Sequence, residues 1–407
     1  MKLTFVTPRY GTEVVGGAER AALMLAERVH AQLGWDVEAV TSCALEADSW
    51  ANHYPAGDAE INGVHVRRFP VSAPRAREFP KLSRKVHANP RMASRADQEL
   101  WIDQQGPTAP GILDALSESD ADVFAFYPYL YYPTVKGLPR VSNRAIMHPA
   151  AHDESSIRMS IFGEVFGKSQ AFVFQTNSER RLVERLFPIA HRPQLLLGLG
   201  IETHQGDKAA FRHDYGLGDR PYVVCLGRVD EAKGSRLLAE YFVAYKRRHP
   251  GPLALVFIGP VVEPLSRQSP GLDRRDDIIV TGVVSEATKW GALRDAEVLV
   301  SPSPFEAFAL VLLEGWAAGK AAMVNASCLP TREHCETSKG GIWFDGYLSF
   351  ETGLAKLLAD GGLRERMALA GQRYVEDHFA WPALVERYGT FIERVVERST
   401  RAMRAAS

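Results

Sequence analysis

Four charged residues stand where packing gives them little reason to be. Arg228 and Lys233 lie in GRVDEAKG (227–234), directly after the apolar run YVVCL. Gly227 ends that run, and Lys233 with Gly234 opens the next amphipathic stretch. Cations just beyond a strand's carboxyl end, beside a helix N-terminus, make an anion site that backbone N–H groups reinforce. A diphosphate fits that description, although two cations in a loop could also be merely solvated. A second group occurs in SPSPFEAFALVLLEGWAAG (301–319), where Glu306 follows a strand-like run and Glu314 falls on the helix after it. An ionised carboxylate accepts from two hydroxyls at once, which suits sugar hydroxyls at Glu306 and a ribose diol at Glu314. The helix N-terminus between them, at Phe308, Ala309 and Leu310, directs free N–H groups toward a phosphate. Glu314 is flanked by Leu313 and Trp316, so an unpaired carboxylate there would be costly.

Holding these groups requires repeated strand–helix units, and the hydrophobic pattern supplies them. Residues 3–7, 37–41, 64–69, 122–126, 144–147, 171–174 and 194–197 read as strands. Ala18, Ala21, Ala22, Leu25, Val29 and Leu33 recur at helical spacing between the first two. The pattern restarts with strands at 222–227, 254–259, 278–282, 297–303, 321–326 and 340–344, and polar residues 204–221 read as the linker. Alternation of this kind predicts an α/β fold of two doubly wound, Rossmann-like parallel-sheet domains, with ligand where strand carboxyl ends face a shared cleft. The tail from Trp381 to Arg401 reads as a helix.

In this order the motifs resemble the GT-B retaining glycosyltransferases of family 4. The resemblance rests on GGAER (16–20), GR-x4-KG, PSPFEAF and the E-x7-E spacing from Glu306 to Glu314. It implies a nucleotide-diphosphate-sugar donor, with Arg228 and Lys233 on the diphosphate, Glu306 on the sugar and Glu314 on the ribose. It implies transfer to an acceptor hydroxyl with retained anomeric configuration, without metal or cofactor. Gly16 and Gly17, after the first strand, would let backbone approach the donor closely. His152, in HPAAHDE (148–154), matches the family's active-site histidine, with His148 as its competitor. The loop from Gly282 to Glu286, with Gly282 and Val284, is expected to meet the base. Residues 1–203 would form the acceptor domain and 204–383 the donor domain, with a helix at about 384–407 packing back on the first. Two departures stand out: Ala309 where the family has glycine, with a methyl that could crowd the donor, and KAAMV (320–324) in place of a proline-bearing loop. A non-catalytic nucleotide-sugar or glycan-binding protein of the same fold is the alternative.

Several other features bear on partners. Asp120-Ala121-Asp122 spells D-x-D, but it precedes a buried run and reads as surface charge rather than a metal site. The stretch from Arg75 to Arg95 carries seven cations, and FYPYLYYP (126–133) adds Tyr127, Tyr129, Tyr131 and Tyr132. The acceptor side is expected there, with the basic stretch touching an anionic acceptor or the inner face of a membrane. A net charge of -1 gives no reason to expect nucleic acid. Cys43, Cys225, Cys328 and Cys335 form no C-x-x-C and read as reduced structural thiols. With no apolar run of about 18 residues and no signal peptide, a soluble cytoplasmic protein is expected. A dehydrogenase would need G-x-G-x-x-G after the first strand, which TPRYGTEVVGGAE lacks.

Overall fold

Continuous apolar runs suit strands covered on both faces, and the computed structural model, which describes residues 1–269, 271–306 and 308–406, gathers them into two sheets. The first sheet comprises β1 (Lys2–Val6), β2 (Asp36–Ser42), β3 (Gly57–Ile61), β4 (Val64–Phe69), β5 (Val123–Phe126), β6 (Ala145–Met147), β7 (Ala171–Phe174) and β8 (Gln194–Leu196). Its order is β3-β4-β2-β1-β5-β6-β7-β8. The pairings are parallel except β3 on β4. The second sheet comprises β9 (Tyr222–Leu226), β10 (Ala254–Ile258), β11 (Ile278–Val280), β12 (Val298–Ser301), β13 (Ala321–Asn325) and β14 (Gly341–Phe344). It is wholly parallel in the order β11-β10-β9-β12-β13-β14.

The chain divides into two compact units, one of residues 1–199 with the segment from Trp381 onward, the other of Gly200–Ala380. The division falls slightly before the 203/204 boundary read from the linker. The helix Trp381–Ala406 belongs to the first unit, where Leu384, Val385, Tyr388 and Ile392 are fully buried. Gly389 lies so close to Leu33, on the helix Gly17–Leu33, that a Cβ would stand 2.7 Å from Leu33 Cδ1.

Two elements differ from the sequence reading. β3 has an exposed face, and it is placed by the hairpin turn Asn62-Gly63, whose φ values are 50° and 83°. Two positive φ angles match the right-handed twist of adjoining strands. Residues 204–221 are not a bare linker, because Lys208–Asp214 is a helix. Asp207 caps it by accepting the Ala210 N–H at 2.9 Å, and Phe211 is buried against the Tyr222 ring. Among the described residues no helix is long and apolar enough to cross a membrane. All four cysteines are buried and free.

Candidate functional site

Where strand order reverses in a doubly wound sheet, the loops at the carboxyl edge are left uncovered by crossover helices. In the second sheet that point lies between β9 and β12, because the chain moves outward to β10 and β11 and then returns to β12. The loop after β9 carries Arg228 and Lys233, and the loop after β12 carries Glu306. Lys233 Nζ lies 2.6 Å from Glu306 Oε1, both side chains mostly buried. Asp230, absent from the sequence reading, builds the first loop. Its Oδ1 accepts the Lys233 backbone N–H at 2.7 Å, and its Oδ2 lies 3.2 Å from Arg228 Nε. Arg228 remains about half exposed, which leaves its guanidinium open to an anion.

Bare backbone borders these cations. Gly227 and Gly259 end β9 and β10 with φ of 126° and 146°. A Cβ on Gly259 would stand 2.2 Å from the Gly227 carbonyl oxygen, so the two strand ends meet only as glycines. The row continues at Gly282, whose carbonyl accepts the Gly259 N–H at 3.0 Å, and Val284 follows it half-buried. Gly259 was missing from the sequence reading, although three successive apolar runs ending in glycine signalled it.

The helix Leu310–Ala317 starts from Ala309, which is left-handed at φ 63° and ψ 61°. This explains a glycine preference there, since an L-residue pays roughly 1–2 kcal/mol in that region. The Ala309 methyl is buried, so its cost falls on the backbone rather than on open space for a ligand. Phe308 turns its side chain inward, 5.2 Å from the His334 ring and 5.5 Å from that of Phe379. Burial pushes His334 down to about 4, which keeps it neutral in this support. Leu310, the first residue of the helix, is half-buried. Glu314 is not unpaired, as its sequence context suggested: its Oε1 accepts from Lys289 Nζ at 3.0 Å. Lys289 also binds Glu286 at 2.8 Å. Lys289 was missed because its partner lies on a different helix and only the fold brings them together.

In the first unit the reversal lies between β1 and β5. The loop after β1 ends at Gly16, and Gly17 opens the helix Gly17–Leu33. A Cβ on Gly16 would stand 2.2 Å from Glu19 Oε2, whereas one on Gly17 would meet nothing within 4 Å. At Gly16 a side chain would displace the Glu19 carboxylate from its pair with Arg9, and Gly17 leaves space at the helix start. Buried Arg9 braces this loop through Glu19 Oε1 at 2.5 Å and the carbonyls of Val15 and Leu45.

The two histidines separate cleanly. His148 is buried, stacked on Tyr127 at 4.1 Å, with its Nε2 3.2 Å from the Tyr388 hydroxyl. Burial holds its pKa well below the usual range. His152 is about half exposed, with Nε2 3.7 Å from Glu154 Oε2. Its loop is pinned by Glu179, also missed, whose Oε1 accepts the Ala151 N–H at 2.9 Å and whose Oε2 accepts the Gln175 N–H at 2.7 Å. Full burial raises this carboxyl to about 7 against those hydrogen bonds.

Three other expectations resolve locally. Tyr127, Tyr129 and Tyr132 are buried, and Tyr129 donates to Glu154 at 2.6 Å, so these aromatics build the core rather than an acceptor surface. Within the basic stretch, Lys85 pairs with Asp97 at 2.8 Å and Arg95 pairs with Glu99 and Glu164. Asp120 pairs with Lys2 Nζ, and Asp122 accepts the Lys2 backbone N–H at 2.8 Å.

Residues 207–374 match the family model described as glycosyl transferases group 1. A GDP-mannose-dependent alpha-(1-6)-phosphatidylinositol monomannoside mannosyltransferase of Mycolicibacterium smegmatis is 30% identical over 184 residues, 43% of this chain and 48% of that protein. The protein of that name from Mycobacterium tuberculosis is 26% identical over 271 residues, 63% of this chain and 70% of its own. The chain thus spans about half the length of the first relative and 70% of the second. Among solved structures, a sucrose-phosphate synthase from Thermosynechococcus elongatus is similar with a TM-score of 0.69 at 16% identity, covering 100% of both chains, which is a likeness of fold.

Proposed function

We propose that this chain, whose residues 207–374 match the glycosyl transferases group 1 and whose two-domain α/β fold is that of GT-B enzymes, moves a sugar from a nucleotide-diphosphate donor to an acceptor hydroxyl with retained configuration. The observation that carries this reading is the meeting of Lys233 and Glu306 at 2.6 Å, beside Arg228 and the glycine edge, where β9 and β12 part. In the donor complex Arg228, Lys233 and the N–H groups at the start of the helix Leu310–Ala317 take the diphosphate charge. That charge grows as the sugar leaves, so these groups bind the transition state more tightly than the ground state. Glu306 accepts from sugar hydroxyls, and Glu314, oriented by Lys289, accepts from the ribose.

The Lys233 ammonium neutralises Glu306, which weakens that carboxylate as a nucleophile. Attack by the acceptor hydroxyl on the face the diphosphate leaves is therefore favoured over a covalent sugar–enzyme intermediate. His152, exposed on its pinned loop, is assigned to the sugar or the acceptor hydroxyl. No metal or cofactor enters this scheme. The mannosyltransferase relatives make GDP-mannose the first donor to test.

The test is nucleotide release by the full chain across a panel of nucleotide sugars. One donor should give saturable release, and Arg228→Ala or Lys233→Ala should lower kcat by about 10²-fold or more. Full turnover in either variant would overturn the assignment. Donor binding without release would make the protein a nucleotide-sugar binder instead.

A further inference from the structure

In the first unit, the helix Phe79–Ala88 walls a cavity of about 750 Å³ whose lining includes Asp48, Arg75, Phe79, Ser83, Arg84 and His87. Arg75 is half-buried, with its guanidinium 4.7 Å from the Phe79 ring centroid and 5.6 Å from that of Trp50. Its Nη2 donates to the Gln105 carbonyl at 3.0 Å. Among the described residues, no carboxylate lies within ion-pair distance of Arg75 or Arg84. Asp48 is the single acid on the wall, so the lining carries a net positive charge. A cation removed from water without a counter-ion is costly, and burial pulls Arg75 below its ordinary range. Ser83 Oγ accepts from Trp101 Nε1 at 3.2 Å, which leaves the hydroxyl proton for an acceptor in the cavity.

We propose that this cavity binds a phosphate monoester carried by the acceptor substrate, held by the guanidiniums of Arg75 and Arg84 and the hydroxyl of Ser83. A dianionic phosphate matches two cations, and its three terminal oxygens exceed what a carboxylate offers to three donors. Phe79 supplies the apolar wall against which the ester carbons pack. The half-buried Arg75, fixed between two rings and the Gln105 carbonyl, suits a phosphate held at one point better than a diffuse charged surface. The word acceptor rests on the proposed transferase function; the phosphate site itself does not.

Trp50 packs under Arg75 and Trp101 donates to Ser83, so tryptophan fluorescence of the full chain reports a titration with glycerol 3-phosphate. Saturable binding is expected, with glycerol silent, and Arg84→Gln and Arg75→Gln should each raise the dissociation constant about tenfold. Arg75 also packs between two rings, so Arg84→Gln and Ser83→Ala carry the test if Arg75→Gln fails to fold. Affinity for the donor nucleotide should stay within about twofold in every variant. Unchanged phosphate affinity in Arg84→Gln and Ser83→Ala, or equal binding of glycerol, would overturn the site. Phosphatidic acid vesicles distinguish a lipid source of the same group. Vesicle binding that glycerol 3-phosphate displaces and Arg84→Gln abolishes supports the site. Binding that ignores the competitor, or is equal on phosphatidylglycerol, assigns the basic stretch to a general anionic surface and overturns the proposal. Phosphate binding without any nucleotide release would strike the transferase reading and leave this site standing.

Discussion

A methyl group at residue 309 could act through the space it fills or through the backbone it constrains. Its burial and the φ of 63° place the effect on the backbone. Ala309→Gly trades the left-handed strain for extra freedom in the unfolded chain, two terms of similar size with the strain larger. Stability to urea should rise by about 0.5–1 kcal/mol, with donor affinity changed less than about twofold. A loss of stability would show that the loop does not hold this conformation. Lys289 presents the opposite case, a side chain whose charge matters and whose backbone does not. Lys289→Met leaves Glu314 mostly buried without its cation, and donor affinity should fall about tenfold in a nucleotide titration. Unchanged affinity would detach Glu314 from the donor.

Between elements, Glu179 ties the start of the helix Asn177–Leu186 to the loop after β6. Its carboxyl is raised from about 4.5 to about 7, so the fold holds a proton that the unfolded chain releases. That contribution is fully present at low pH and is lost as pH rises from about 4.5 through about 7. The full effect is of the order of 3 kcal/mol. His334 runs the other way: pushed down to about 4, it contributes stability above about 6.5 that is lost as pH falls through about 4. The two slopes oppose each other in the wild type, so the difference between variants is the useful measurement. The stability gap between wild type and Glu179→Gln should shrink from pH 5 to pH 7 by about 2–3 kcal/mol, read from urea unfolding. A constant gap would mean that Glu179 is ionised throughout. Elements also show where reading by pattern failed. β3 has no apolar face to betray it, and the helix Lys208–Asp214 is too short for a periodic signal, although Asn62-Gly63 and the Asp207 cap were both legible.

For the whole molecule, the chain's last helix belongs with its first residues. Leu384, Val385, Tyr388 and Ile392 are fully buried in the unit that begins at Met1, and Tyr388 meets His148 there. Ending the chain at Ala380 should therefore unfold the first unit and spare Gly200–Ala380. Calorimetry should lose one transition, while nucleotide still stabilises the other. Survival of both transitions would make the helix an accessory.

Arg228, Lys233 and Glu306 stood out in the sequence because each charge follows an apolar run; Lys233 and Glu306 are mostly buried, where an unpaired charge is expensive, while Arg228 stays about half exposed. The sheets were legible for a related reason: strands covered on both faces must be apolar along their length. Tertiary structure decided who meets whom. The Lys233–Glu306 pair joins residues 73 apart, and Lys289–Glu314 joins two helices, neither of which periodicity can express. It also buries His148 and leaves His152 about half exposed, a difference that only packing produces. It also turned Ala309 from a question of size into one of backbone angle, because a dihedral is set by the loop that closes around it.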